Sequence, residues 1–166
     1  MRIGIMLRHV DQHGGGVKVY TNELLERLLT SPGDHEFVLM YQNANHVGRY
    51  GHFANVRETA ADVPTRLMWD QLAVPWLADR HGVDLVFNPK YSLPLYSGVP
   101  GVFVCHGLDW YVMPWGSPPL DRVSHKLLVP RYAHKAAGII AVSDTTREHV
   151  IRFWDVDPEK VRTIYH

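Results

Sequence analysis

The chain has 166 residues, 46% apolar and 20% charged, with 17 basic side chains balanced by 17 acidic ones. That length fits one globular domain, and the balance excludes the basic surplus on which nucleic-acid binders depend. A single cysteine, Cys105, excludes an intrachain disulfide, so the composition points to a reducing, cytoplasmic setting.

In chain order, residues 3–7 form a nearly unbroken apolar run, the pattern of a strand buried on both faces of a parallel sheet. It predicts a central first strand, parallel to its neighbours. A polar stretch follows, then Gly14-Gly15-Gly16. Next, Val17, Tyr20, Thr21, Leu24, Leu25 and Leu28 recur at spacings of three and four, which predicts a helix ended by Ser31-Pro32-Gly33. Glu23 and Arg27 stand four apart on its flank, as an ion pair would. Residues 37–41 predict the second strand, and residues 53–56 a weak third.

Residues 66–81 predict an apolar helix kinked at Pro75. Its stripe of Leu67, Met68, Leu72, Trp76 and Leu77 reads as packing on the sheet, with a weak peripheral membrane contact as the alternative. Residues 83–87, 102–105, 138–142 and 161–165 predict further strands, and residues 120–136 and 144–154 further helices. The irregular segment 108–119 carries Trp110, Tyr111 and Trp115, read as an exposed apolar patch that favours self-association. No apolar stretch approaches the roughly 18–20 residues of a membrane span. Strands alternate with helices throughout. The expected class is therefore α/β: a doubly wound, Rossmann-like parallel sheet over residues 1–166.

Three places carry candidate chemistry. Gly15 and Gly16 open the first helix, where unpaired N–H groups and a partial positive charge favour an anion, and glycine lets a phosphate come close. The alternative is a turn that merely needs positive φ. G-x-G-x-x-G is absent, and the second strand runs into Gln42-Asn43 rather than an acidic residue, which disfavours a dinucleotide. No P-loop sequence occurs. His106 follows a buried strand and so falls at the carboxyl edge of the sheet, where such folds bind ligands. There it can donate to a ligand hydroxyl or a developing charge, or else cap loop backbone. Ser143 reads as an N-cap, and Arg147, one turn into its helix, faces a charged ligand or solvent. Eleven histidines raise the question of a metal. His9 and His13 fall in a loop, no H-E-x-x-H occurs and one cysteine makes no cluster, so no metal and no cofactor are expected.

Several segments together resemble the retaining GT-B glycosyltransferases of family 4. They are Arg2-Ile3-Gly4-Ile5, then Gly14-Gly15-Gly16 with Tyr20 and Leu24, then Trp69-Asp70-Gln71-Leu72 with Pro75. They continue with Asp84-Leu85-Val86-Phe87-Asn88-Pro89, Val104-Cys105-His106, residues 136–147 and Pro158-Glu159-Lys160-Val161. The resemblance implies a protein of two Rossmann-like domains, of which this chain is the acceptor-side half, with the donor-binding half missing. It implies sugar transfer from a nucleotide sugar to a hydroxyl acceptor (a glycan, a lipid-linked or a small molecule), with retention. In such enzymes the loop at Gly15 and Gly16 lies near the donor diphosphate, and the histidine matching His106 contacts the transferred sugar. Such enzymes generally need no metal. Asp109, Ser143 and Arg147 are further substrate-binding candidates. The family often has Asp directly after the cleft histidine; here stands Gly107, with Asp109 as its substitute. Alone, the fragment is expected to be inactive. Two other readings remain: an acceptor-binding subunit of a split transferase, and a small phosphate-binding module.

Overall fold

The computed structural model describes residues 1–11, 15–113, 115 and 119–165. Residues 12–14 lie outside them, and with them the expectations for His13 and Gly14. Seven strands, β1 (Arg2–Met6), β2 (Glu36–Tyr41), β3 (Val56–Ala60), β4 (Leu85–Asn88), β5 (Gly101–Cys105), β6 (Gly138–Ala141) and β7 (Val161–Thr163), form one sheet. Its order is β3-β2-β1-β4-β5-β6-β7, and every neighbouring pair is parallel. The first strand is central, as its apolar run predicts. The sheet grows outward from β1 in one direction through β2 and β3, and in the other through β4 to β7. The junction of β1 and β4 is thus the topological switch point, which leaves a crevice at the carboxyl ends of the strands.

Helix α1 (Gly16–Thr30) covers one face, burying Leu25 and Leu29 against Ile5, Leu7, Leu39 and Val104. Helices α2 (Arg66–Met68), α3 (Val74–Arg80), α4 (Asp109–Val112), α5 (Pro119–Lys135) and α6 (Asp144–Trp154) follow. Side chains of α3, α5 and α6 bury the other face around Phe103, Leu77, Tyr132 and Trp154. The Glu23–Arg27 pair forms at 2.7 Å. The weak third strand begins at Val56, where the expected one ended; Phe53 instead packs on Tyr50.

The helix expected over residues 66–81 is not simply kinked. Trp69–Ala73 form a π turn between α2 and α3, in which the Val74 amide donates to the Trp69 carbonyl. Proline has no N–H, and its ring collides with the carbonyl four residues back. One wider turn just before Pro75 accommodates both. The face assignment is corrected too. Trp69, Asp70, Ala73, Val74, Leu77 and Ala78 are buried, whereas Leu67, Met68, Leu72 and Trp76 face outward, with Trp76 52% exposed. A second correction concerns the aromatic patch. Trp110 is buried against Tyr91 and His125, Tyr111 stacks on Phe153, and only Trp115 of the three is exposed.

Cys105 is fully enclosed, and desolvation pushes its thiol up to about 12. Because the thiolate is the reactive form, the native protein is expected not to react with a thiol reagent at about pH 8 and to react once unfolded. Rapid labelling of the native chain would contradict this enclosure.

Candidate functional site

The crevice at the switch point is built by the residues that leave β1, β4 and β5. At the end of β4, Asn88 is buried, and its amide nitrogen donates to both the carbonyl and the hydroxyl of Ser92 at 2.8 Å. Its oxygen accepts from the Lys90 amide at 3.0 Å. A buried side-chain amide with its bonds made holds a loop in one shape. That loop presents the Pro89 carbonyl, which lies 2.8 Å from Nε2 of His106. A carbonyl only accepts, so Nε2 carries the proton there. The Tyr20 ring meets the imidazole edge to face, with centroids 4.8 Å apart. His106, half-buried at the end of β5, is therefore oriented from two sides.

Tyr20 stands four residues after Gly16, on the same face of α1 one turn further along. The contact thus ties His106 to the helix whose start holds the two glycines. Gly15 has φ of +107°, a conformation that favours glycine, and a Cβ on either Gly15 or Gly16 would meet nothing within 4 Å. The backbone at this helix start is open.

Ser143 and Arg147 follow β6, one strand further along the edge. The Ser143 hydroxyl accepts from the Thr146 amide at 3.1 Å, as an N-cap does. Arg147 donates to the carbonyls of Val161 at 3.0 Å and Pro158 at 3.2 Å, tying α6 to the last strand. Asp109 is exposed at the start of α4. The structure thus places His106 against Tyr20, one turn into the helix that Gly16 opens. It leaves Asp109 at the surface and gives Ser143 and Arg147 bonds within α6 and β7. The described residues contain no group of three or more His, Cys, Asp or Glu arranged to hold a metal.

A second polar group, outside the candidate site residues of the sequence, lies on the π turn. Asp70, on the π turn, is 1% exposed. Its Oδ2 lies 3.5 Å from Nε of Arg66, and its Oδ1 has no hydrogen-bond partner among the described residues. Desolvation holds this carboxyl above its ordinary range, against the pull of Arg66 and Arg8 and of the Ser92 hydroxyl. Such a carboxyl takes up a proton more readily in the folded chain than in the unfolded one. Its ionisation therefore costs stability, and the loss grows as pH rises from the unfolded value toward the raised folded one. Asp70→Asn is expected to raise the melting temperature near pH 7 and to change it little near pH 3, where both states are protonated. Equal shifts at both pH values, or a fall near pH 7, would contradict a carboxyl held above its ordinary range by burial.

Comparison with known proteins agrees with this architecture. The chain matches the family model described as Glycosyltransferase Family 4 over residues 14–166. Among solved structures it is similar to a glycosyltransferase from Rickettsia africae, at 13% identity and a TM-score of 0.57. It is also similar to Anabaena HepE, crystallised with UDP and glucose, at 18% identity and a TM-score of 0.59. The matches cover 99% of this chain but only 42% and 44% of those two chains. No curated protein sequence matches. The seven-stranded parallel sheet and the family match agree: the chain belongs to glycosyltransferase family 4.

Proposed function

We propose that this chain is the acceptor-side domain of a retaining glycosyltransferase that moves a sugar from a nucleotide sugar to a hydroxyl acceptor. The observation that carries the reading is His106. It sits at the carboxyl end of β5, fixed by Pro89 and Tyr20, on the helix that opens at Gly15 and Gly16. In this reading the amides of the helix start lie beside the donor diphosphate, where the N–H groups and the helix dipole oppose its charge. His106 contacts the transferred sugar and stabilises charge that develops on it. Its orientation, set before substrate binds, removes a reorganisation cost from the reaction. A second, donor-binding domain completes the cleft, and no metal takes part. Asp109, Ser143 and Arg147 serve substrate binding from the rim. With UDP- and GDP-sugars, the full-length protein is expected to release nucleoside diphosphate faster when a hydroxyl acceptor is present. No acceptor-dependent release with any donor would contradict the reading.

We place the protein in the cytoplasm, and the outward apolar face of Leu67, Met68, Leu72 and Trp76 supports a weak contact with a membrane surface there. No helix of the described residues is long and apolar enough to cross a membrane. Partial, salt-sensitive co-sedimentation with anionic liposomes is expected, and its loss in Trp76→Asp. Failure to pellet at low salt would contradict this contact.

A further inference from the structure

Asn88 closes β4 beside β5, in the middle of the sheet, and is 1% exposed. An apolar side chain is the usual occupant of such a place in a parallel sheet. A buried amide persists where its bonds are made, and the three bonds of this one all go to the turn that follows. Its Nδ2 donates to the carbonyl and the hydroxyl of Ser92, each at 2.8 Å, and its Oδ1 accepts from the Lys90 amide at 3.0 Å. The Ser92 amide donates to the Lys90 carbonyl at 3.0 Å, which closes the turn on itself.

One peptide plane of this turn joins Asn88 to His106. The amide of Lys90 and the carbonyl of Pro89 belong to the same peptide unit, which is trans. A planar trans unit points its N–H and its C=O in opposite directions. Oδ1 of Asn88 therefore holds one end of the plane, at 3.0 Å, and Nε2 of His106 bonds the other, at 2.8 Å. Proline has its φ fixed at about −65°, so the orientation of this plane depends on the rotation that the Asn88 bond restrains. With the plane held, the imidazole keeps its proton on Nε2 and cannot exchange its two nitrogens by turning about Cβ–Cγ without breaking the bond.

We propose that Asn88 is a positioning residue: through the peptide between Pro89 and Lys90 it fixes the orientation and the protonated nitrogen of His106. The catalytic consequence rests on the transfer reading above; the fixing of the ring does not. Gln71, on the π turn, gives the control. Its Nε2 donates to the Leu93 carbonyl at 3.0 Å, and its Oε1 accepts from the Leu95 amide at 2.8 Å. It ties the same β4–β5 loop, but beyond the plane that meets His106.

Nitrogen-15 NMR of the histidine rings of this chain, at about pH 8 and so above the ordinary titration of histidine, tests this. His106 is expected to carry its proton on Nε2. In Asn88→Ala the proton is expected to divide between the two ring nitrogens. Asn88→Asp keeps an acceptor for the Lys90 amide and loses the donor to Ser92. It is expected to be destabilised yet to keep the wild-type ring pattern, and Gln71→Ala is expected to do the same. A purely structural role predicts instead that the ring pattern follows the loss of stability in all three. In the full-length enzyme, Asn88→Ala is expected to lower kcat about tenfold with KM changed less than about threefold, and Asn88→Asp to recover most of the loss. A wild-type ring protonated only on Nδ1, a result that needs no variant to fold, would overturn the proposal. So would an unchanged ring in folded Asn88→Ala, or a ring disturbed equally in Gln71→Ala or Asn88→Asp. A disturbed ring with unchanged kcat would remove Asn88 from the reaction and leave glycosyl transfer standing. Absence of transfer would sink the transfer reading, while the ring spectra still decide whether Asn88 positions His106.

Discussion

Alanine at His106 is expected to lower the turnover of the full-length enzyme by about a hundred- to a thousandfold, the usual effect of removing one oriented polar group from a developing charge. KM should change far less, because the interaction proposed is strongest in the transition state. The imidazole is half-buried and bonded to Pro89, so some loss of rigidity in the β4–β5 loop accompanies the change. The melting temperature separates the two effects: a small shift beside a large loss of turnover is the expected pair. Near-native turnover would remove His106 from the reacting sugar, and a rise in KM alone would make it a binding residue only.

The second large effect is on stability. Trp69 is fully enclosed between the π turn and the sheet, whereas Trp76, seven residues on, is 52% exposed with Arg80 over its ring at 5.2 Å. Trp69→Ala removes a large side chain from a packed core and is expected to cost about 3–5 kcal/mol in denaturant unfolding. Trp76→Ala is expected to cost about 1 kcal/mol or less, mainly its contact with Arg80. The pair tests which face of this helix the sheet covers. Comparable losses at the two sites would contradict the outward placement of Trp76.

That face was the least legible part of the fold, for a physical reason. Residues 66–81 carry two apolar stripes at helical spacing. The expected one runs through Leu67, Met68, Leu72, Trp76 and Leu77, of which only Leu77 is buried; the other contains Trp69, Ala73, Val74 and Ala78 but also Asp70. Periodicity favours the stripe without a charge, yet the sheet covers the one with it. The strands were easier. β1, β2 and β5 are buried on both faces and read as continuous apolar runs, while β3, with Arg57, Glu58 and Thr59 at the sheet edge, offers no such run. The glycines at the start of α1, His106 after β5 and the cap at Ser143 were visible because local sequence marks strand ends and helix starts. The grip of Pro89 on His106, the edge contact of Tyr20 and the approach of Arg66 to the Tyr91 ring join residues far apart in the chain, and no local pattern signals them.

The central claim, that this domain works from the acceptor side while the donor is held elsewhere, is tested most directly by titration calorimetry of the chain with UDP and GDP. Within the described residues the expected contact to a diphosphate is the open helix start at Gly15 and Gly16, too little for a tight site. The account predicts no binding stronger than about millimolar for either nucleotide. Micromolar affinity for one of them would place the donor site within these 166 residues and contradict the account.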